Sequence, residues 1–180
     1  MTLWLTHAQL DALTAQAADT VPAECCGLIG GTVENGSFRA AELVPIPNRA
    51  VDPDHHFEMD AAALVTTLFD FELRGLALVG IYHSHPRGAP LPSVEDVKSA
   101  YYPGIPYVII GRRGAETICA AWMITQGDVT PLALNISDSP PPAVLPTTSP
   151  AGIVWCSALI AAAFMIALAL WLLPPAPVIP

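Results

Sequence analysis

The fold and the candidate site of this chain are decided by one stretch of sequence, LALVGIYHSHPRGAPLPSVED at residues 76–96. Residues 76–82 form a continuous apolar run of strand length, which predicts a central strand that is buried on both faces. Side chains alternate along a strand, so His83 and His85 should project to the same side. Pro86 then ends the strand and leaves the two imidazoles at its carboxyl end, where open α/β sheets usually bind ligands.

The carboxylate of Asp96 is the next candidate ligand. It lies in the first turn of a predicted helix, after a loop rich in proline and glycine at residues 86–92 that can fold back toward the histidines. Two neutral imidazoles and one carboxylate suit Zn²⁺ and leave a fourth tetrahedral position for water, which is typical of a catalytic zinc site. The sequence SVED at residues 93–96 is also typical of a helix N-terminus capped by Ser93. Both interpretations can hold together.

A third element, Glu24, stands just before a predicted short strand at residues 26–31. A lone glutamate at such a position is usually solvated, and its spacing from the histidines does not place it beside them. Any functional role for Glu24 therefore depends on resemblance to known proteins.

That resemblance is specific. Glu24, the tripeptide His-Ser-His at residues 83–85 and the Ser-x₂-Asp of residues 93–96 reproduce the pattern Glu…His-Ser/Thr-His-x₇-Ser-x₂-Asp. This is the JAMM motif of the MPN-plus (Mov34-like, JAB-domain) zinc metallopeptidases, which the chain resembles over roughly residues 3–135. The flanking segments ECCGLIG, FEMD and VGIY are also similar to those of bacterial members.

The resemblance implies a role for each motif residue. His83, His85 and Asp96 match the ligands of one zinc ion per chain. Glu24 matches the general acid/base that takes a proton from water and delivers it to the departing amine. Ser93 matches the residue that helps to stabilise the oxyanion. Since every motif position is filled, a catalytic domain is favoured over an inactive one.

The resemblance also implies a substrate class. Hydrolysis is expected at an isopeptide or peptide bond after the Gly-Gly tail of a ubiquitin-like or small sulfur-carrier protein, with the extended tail along a sheet edge. Two alternatives stay open. One is a non-catalytic, membrane-tethered MPN module that binds ubiquitin-like tails, and the other is a hydrolase of unrelated small amides or peptides.

Periodicity and turn signals outline the rest of the domain. They predict helices at residues 7–19, 61–74 and 93–101 around strands that include a hairpin near residues 26–44. Further strands are expected at residues 105–110, 116–124 and 129–134. The predicted fold class is α/β, an MPN (JAB)-type mixed sheet flanked by helices.

Four segments are expected along the chain. Residues 1–138 form the JAMM/MPN-type metallopeptidase domain, and residues 139–150 form a proline-rich linker. Residues 151–173 are uncharged and apolar over a length that predicts a transmembrane helix, followed by a short tail at residues 174–180. Because the amino terminus lacks the pattern of a secretory signal, a single-pass C-terminal membrane anchor with a cytoplasmic catalytic domain is expected.

Charge excludes one class of partner. The 180 residues include 7 basic and 16 acidic side chains, and the formal net charge is -9. An acidic domain without a basic stripe repels phosphate backbones, so nucleic acid is not expected as a partner.

Overall fold

The computed structural model describes residues 1–114 and 116–139, and this part of the chain holds seven strands and three helices. In chain order they are β1 (Thr2–Leu5), α1 (His7–Asp19), β2 (Cys26–Glu34), β3 (Ser37–Ile46), α2 (Ala61–Leu73), β4 (Ala77–Ser84), α3 (Val94–Lys98), β5 (Pro106–Arg113), β6 (Glu116–Thr125) and β7 (Asp128–Ile136).

The seven strands close into a barrel in the order β1-β3-β2-β4-β5-β6-β7. The sheet is mixed, as predicted, because β1 pairs in parallel with β3 and β7, β4 pairs in parallel with β5, and the other pairs are antiparallel. The predicted mixed sheet flanked by helices did not include this closure into a barrel. Closure depends on β1, a four-residue strand in which Leu3 lies opposite both Phe38 and Leu134.

Two apolar clusters fill the domain and hold the strand that carries the histidines. Leu13 of α1 packs in one cluster with Val79 of β4, and Phe71 of α2 packs in the other with Ile81 of β4. Strand β4 contributes to both clusters, with Ile81 in one and the adjacent Tyr82 in the other, and residues 79–84 are all buried. The prediction of a central strand buried on both faces is confirmed, and its end is held rigidly from both sides.

Strand β2 lies between β3 and β4 and approaches β4 closely. A Cβ atom at Gly27 would overlap the ring of Tyr82 and the carbonyl oxygen of Val44. Glycine at this position therefore allows the strand that follows Glu24 to pack directly against the strand that ends in the histidines.

Two sequence-based expectations are corrected. Helix α3 ends at Lys98 rather than near residue 101, with Ser99 as its C-cap. The predicted membrane anchor and membrane location are withdrawn: in the part of the chain that the structure describes, no helix has the length and apolar character needed to cross a bilayer. The segment at residues 151–173, on which that expectation rested, lies outside the described residues.

Candidate metal centre

The two histidines of the motif lie at the carboxyl end of β4. His83 is fully buried and lies opposite Cys26 of β2 and Ile109 of β5. His85 follows the strand, and its backbone N–H donates to the carbonyl oxygen of Ile110 at 2.7 Å. The alternation of side chains along the strand brings both rings to one side, where their Nε2 atoms are 3.0 Å apart.

Asp96 completes the cluster, as the sequence predicts. Its carboxylate lies 3.3 Å from Nε2 of His83 through Oδ1 and 3.3 Å from Nε2 of His85 through Oδ2. Among the described residues these three form the group of side chains that could hold a metal ion. Tetrahedral zinc with ligand bonds of about 2.0–2.1 Å separates its ligand atoms by about 3.3 Å. The two distances from Asp96 involve different oxygens, but one ligand atom from each of the three side chains lies within 4.8 Å of the others, so a modest movement of the carboxylate would complete the geometry for zinc.

Neighbouring groups orient the two rings. Nδ1 of His85 donates to the carbonyl oxygen of Ala89 at 3.1 Å, which leaves Nε2 of that ring as the lone-pair donor toward the cluster. The ring of Phe57 stacks on His83, with centroids 4.4 Å apart. Nδ1 of His83 is buried and has no hydrogen-bond partner within the described part of the chain. Both imidazoles thus present Nε2 to the same point in space.

Burial and mutual hydrogen bonds shift the pKa values of all three side chains of the cluster. Burial lowers the pKa of His83 and favours its neutral form, which is the form that binds metals. Burial alone would raise the pKa of Asp96, but its hydrogen bonds with His83 and His85 outweigh burial and hold that pKa well below its ordinary range. The same carboxylate raises the pKa of His85 against the opposing effect of burial.

Strand pairing brings Glu24 to the cluster. The antiparallel register of β2 and β4 continues beyond β2, since the N–H of Ser84 donates to the carbonyl oxygen of Cys25 at 2.9 Å. The Cys25 N–H in turn donates to Oγ of Ser84 at 2.9 Å. Glu24 is next along the chain, and its own N–H donates to the carbonyl oxygen of Pro53 at 2.7 Å. These bonds fix the backbone of Glu24 beside the end of β4.

Glu24 is buried, and the residue as a whole is 6% exposed. Burial raises its pKa to about 7, helped by the nearby Asp96 carboxylate and opposed by His85 and His55. A carboxyl group with a pKa near neutrality can both accept and donate a proton at neutral pH. The expectation that a lone glutamate at this position is solvated therefore does not describe Glu24.

The raised pKa of Glu24 predicts a pH-dependent stability difference in the metal-free protein. Between the ordinary pKa of 4.5 and a pH of about 7, the carboxyl group of Glu24 stays protonated in the folded chain, whereas it loses its proton in the unfolded chain. The stability that this proton contributes is fully present below pH 4.5 and is lost as the pH rises through about 7. Glu24→Gln cannot ionise, so at about pH 8 it should be more stable than the parent by at most about 3 kcal/mol, and at about pH 4 the two should be equal.

Urea unfolding of the metal-free parent and variant at these two pH values measures the difference. A difference in free energy of unfolding that does not change with pH would show that Glu24 titrates normally.

Ser93 lies at the start of α3 and is joined to the cluster through Asp96. Its Oγ accepts from the N–H of Asp96 at 3.1 Å, and its N–H donates to Oδ2 of Asp96 at 2.7 Å. The predicted capping box is confirmed. Since Oγ uses a lone pair in this bond, the hydroxyl hydrogen of Ser93 is free of it and can be directed at a substrate.

A groove beside the cluster was not predicted from the sequence. It has a volume of about 640 Å³, and Phe57, which stacks on His83, and Glu95, which precedes Asp96, both line it. The other lining residues are mainly aromatic and aliphatic, with acidic side chains among them: Ala50, Val51, Asp52, His56, Glu58, Met59, Leu64, Ile81, Ser99, Tyr101, Tyr102 and Tyr107. In the sequence, the features that could have indicated this groove were the aromatic residues near 101–107 and the FEMD segment. The fold is what brings them together around one groove.

Comparison with known proteins agrees with the motif. A family model described as prokaryotic homologs of the JAB domain matches residues 6–125. The match covers more than half of the chain, and it includes Glu24, both histidines, Ser93 and Asp96. The chain belongs to the prokaryotic JAB-domain family, which confirms the resemblance to JAMM/MPN-type proteins.

Individual relatives carry names that describe peptidases. A desampylase from Haloferax volcanii is 38% identical over 101 residues, which are 56% of this chain and 71% of the relative. A probable TtuB-protein conjugate cleaving protease from Thermus thermophilus is 32% identical over 134 residues, which are 74% of this chain and 84% of the relative. The solution structure of a Desulfitobacterium hafniense protein matches with a TM-score of 0.70 and 28% identity, covering 77% of this chain and 94% of that one.

Proposed function

We propose that this protein is a zinc-dependent metallopeptidase that hydrolyses an isopeptide or peptide bond after the Gly-Gly tail of a ubiquitin-like or small sulfur-carrier protein. The observation that carries the proposal is the convergence of His83, His85 and Asp96, with spacings suited to tetrahedral zinc, beside a buried glutamate of raised pKa. The names of the two relatives, a desampylase and a conjugate-cleaving protease, support hydrolysis of protein conjugates.

His83, His85 and Asp96 would hold the zinc ion through two Nε2 atoms and a carboxylate oxygen. When bound, zinc polarises a scissile carbonyl and lowers the pKa of a water molecule to about 7. The protein holds these ligands in place before the metal arrives, through the bond from His85 to Ala89 and the stacking of Phe57 on His83. The bonds that Asp96 makes with both imidazoles in the metal-free protein would be exchanged for bonds to the cation, with release of a proton.

Glu24 would move the proton in this reaction. In its ionised form the carboxylate accepts a proton from the attacking water, and in its protonated form it delivers that proton to the departing amine. A pKa of about 7 makes both states accessible at neutral pH. The carboxylate does not need to bind the metal, because the three other side chains already supply a ligand set.

Ser93 would stabilise the charge that develops on the carbonyl oxygen. Its Oγ is held by the bond from the Asp96 N–H, which leaves its hydroxyl hydrogen available to donate to that oxygen. The expected contribution of such a donor is about 10²–10³-fold in rate.

The groove beside Phe57 is the proposed site of the substrate tail. An extended tail along a sheet edge was expected from the sequence, whereas each strand of the described barrel has a neighbour on both sides over part of its length. The groove instead offers aromatic and aliphatic walls together with the carboxylates of Asp52, Glu58 and Glu95. Apolar and basic side chains preceding the Gly-Gly would be accommodated there.

A pair of fusion substrates tests the proposal. The zinc-loaded full-length chain is mixed with a ubiquitin-like protein whose Gly-Gly terminus is joined by a peptide bond to a reporter, or by an isopeptide bond to a lysine. Matched substrates carry Ala-Ala in place of Gly-Gly, since side chains at these positions should hinder entry to the site.

Cleavage after Gly-Gly, with much slower cleavage after Ala-Ala, is the expected result. Binding of the tail without cleavage of either bond would favour a non-catalytic module. Equal cleavage of Gly-Gly and Ala-Ala substrates would favour a hydrolase with no preference for such tails.

A further inference from the structure

The segment that joins His85 to Ser93, residues 86–92, is here called the metal loop. Three successive carbonyl oxygens of this loop each accept a hydrogen bond. The oxygen of Gly88 accepts from the Arg112 N–H at 2.7 Å, that of Ala89 from the His85 ring at 3.1 Å, and that of Pro90 from the Trp122 indole at 2.9 Å. The bond to the ring therefore lies between two bonds to the barrel.

The metal loop lies directly against the backbone of β5. A Cβ atom at Gly111 would overlap the backbone of Gly88, Ala89 and Pro90. Glycine at residue 111 permits this close approach. The side chain of Trp122, on the neighbouring strand β6, also bonds to the loop. Of the bonds that reach the three carbonyls from the barrel, the one from Trp122 is made by a side chain and can be removed by substitution.

We propose that Trp122 is a positioning residue of the metal centre. Its indole N–H holds the carbonyl oxygen of Pro90, and thereby keeps the neighbouring Ala89 carbonyl under the ring of His85. That carbonyl fixes the ring so that Nε2 faces His83 and Asp96. The indole hydrogen bond of Trp122 goes to the loop rather than to a metal ligand. Groups bonded directly to a metal ligand typically change metal affinity by about 10–100-fold. Since Trp122 acts one step further out, through the loop, an effect at the lower end of that range is expected.

The effect on zinc rests on the proposed function, whereas the effect on the metal loop does not. Trp122→Phe keeps an aromatic ring and removes the donor. Trp4→Phe is the matched control, because Trp4 lies in β1 opposite Arg39 and Asn135 and away from the metal loop. Gly111→Ala is a second variant that disturbs the same loop from the other side and leaves the indole intact.

Two measurements on the full-length chain test the proposal. The first is amide hydrogen exchange in the metal-free protein, followed at Gly88, Leu91 and Arg112, whose N–H groups all bond within or to the metal loop. Trp122→Phe and Gly111→Ala should speed exchange at these three amides about tenfold or more, with β3 unchanged. The second is zinc affinity by competition with a chelator, which should fall about tenfold or more in the same two variants. Trp4→Phe should match the parent in both.

Exchange and zinc affinity within about twofold of the parent in Trp122→Phe would overturn the proposal. So would faster exchange spread evenly over the barrel, because this would show a general structural role. A parent that binds no zinc would overturn the proposed function, and the exchange measurement would still decide whether Trp122 positions the loop.

Discussion

Glu24→Gln should lower the rate of bond cleavage about 10²–10⁴-fold while zinc affinity stays close to that of the parent, because a positioned general acid/base typically contributes that much. The amide of glutamine has the shape of the carboxyl group but cannot accept or deliver the proton. Glu24 is nearly fully buried, and its backbone is held by Pro53 and Asn48, so the substitution should not move the main chain. Single-turnover cleavage of a Gly-Gly fusion, with zinc content measured on the same samples, checks both parts.

Glu72→Gln is the matched control for this substitution. Glu72 is exposed on α2, and its replacement makes the same change of a carboxyl group into an amide away from the cluster. The Glu72→Gln variant should cleave the Gly-Gly fusion at the rate of the parent. Full activity in Glu24→Gln would remove Glu24 from the reaction, and loss of zinc in that variant would instead make it a ligand.

Asp96→Asn should lower zinc affinity at least about 100-fold and reduce cleavage below detection. Removing a group that only hydrogen-bonds to a metal ligand lowers metal affinity by about 10–100-fold. This substitution changes a ligand itself, so its effect should be larger. Asparagine keeps an oxygen that can accept the bond from the Ser93 N–H, so the cap of α3 should survive. The loss therefore reports the charge of the ligand rather than unfolding of the helix. Zinc competition and thermal unfolding with and without metal measure the two effects separately.

Glu95→Gln provides the comparison for this second substitution. Glu95 is the neighbouring first-turn carboxylate and is exposed. Its replacement should leave zinc affinity within about twofold of the parent, since it is not part of the cluster. Parent-like zinc affinity in Asp96→Asn would reduce Asp96 to a helix-capping residue.

The ligand candidates could be identified from the sequence because their geometry is local. Alternation along one strand places His83 and His85 on the same side, and the loop that follows is long enough to return Asp96 to them. The same local logic predicted the cap formed by Ser93. The structure adds the spacings, which no pattern in the sequence contains.

Glu24 could not be placed in this way. Its proximity to His85 depends on the pairing of β2 with β4, across about sixty residues of chain. Only resemblance to a known motif assigned it a role in advance. Its raised pKa is a consequence of burial, and this is a property of the folded chain.

Closure of the barrel was missed for a related reason. Strand β1 is four residues long, and its partners β3 and β7 lie far along the chain. A strand this short has too few residues to show a clear alternation. The groove beside Phe57 also depends on long-range packing, because its walls come from the segment after β3, from α2 and β4, and from residues around α3 and β5.

The central claim is that bond cleavage depends on zinc held by His83, His85 and Asp96. The most direct test is to titrate zinc into the metal-free full-length chain and to follow cleavage of the Gly-Gly fusion together with bound metal. Cleavage should be absent at the start, rise in proportion to bound zinc and reach its maximum at one zinc per chain. Cleavage by the metal-free chain at the same rate, or saturation of zinc without any cleavage, would contradict the account.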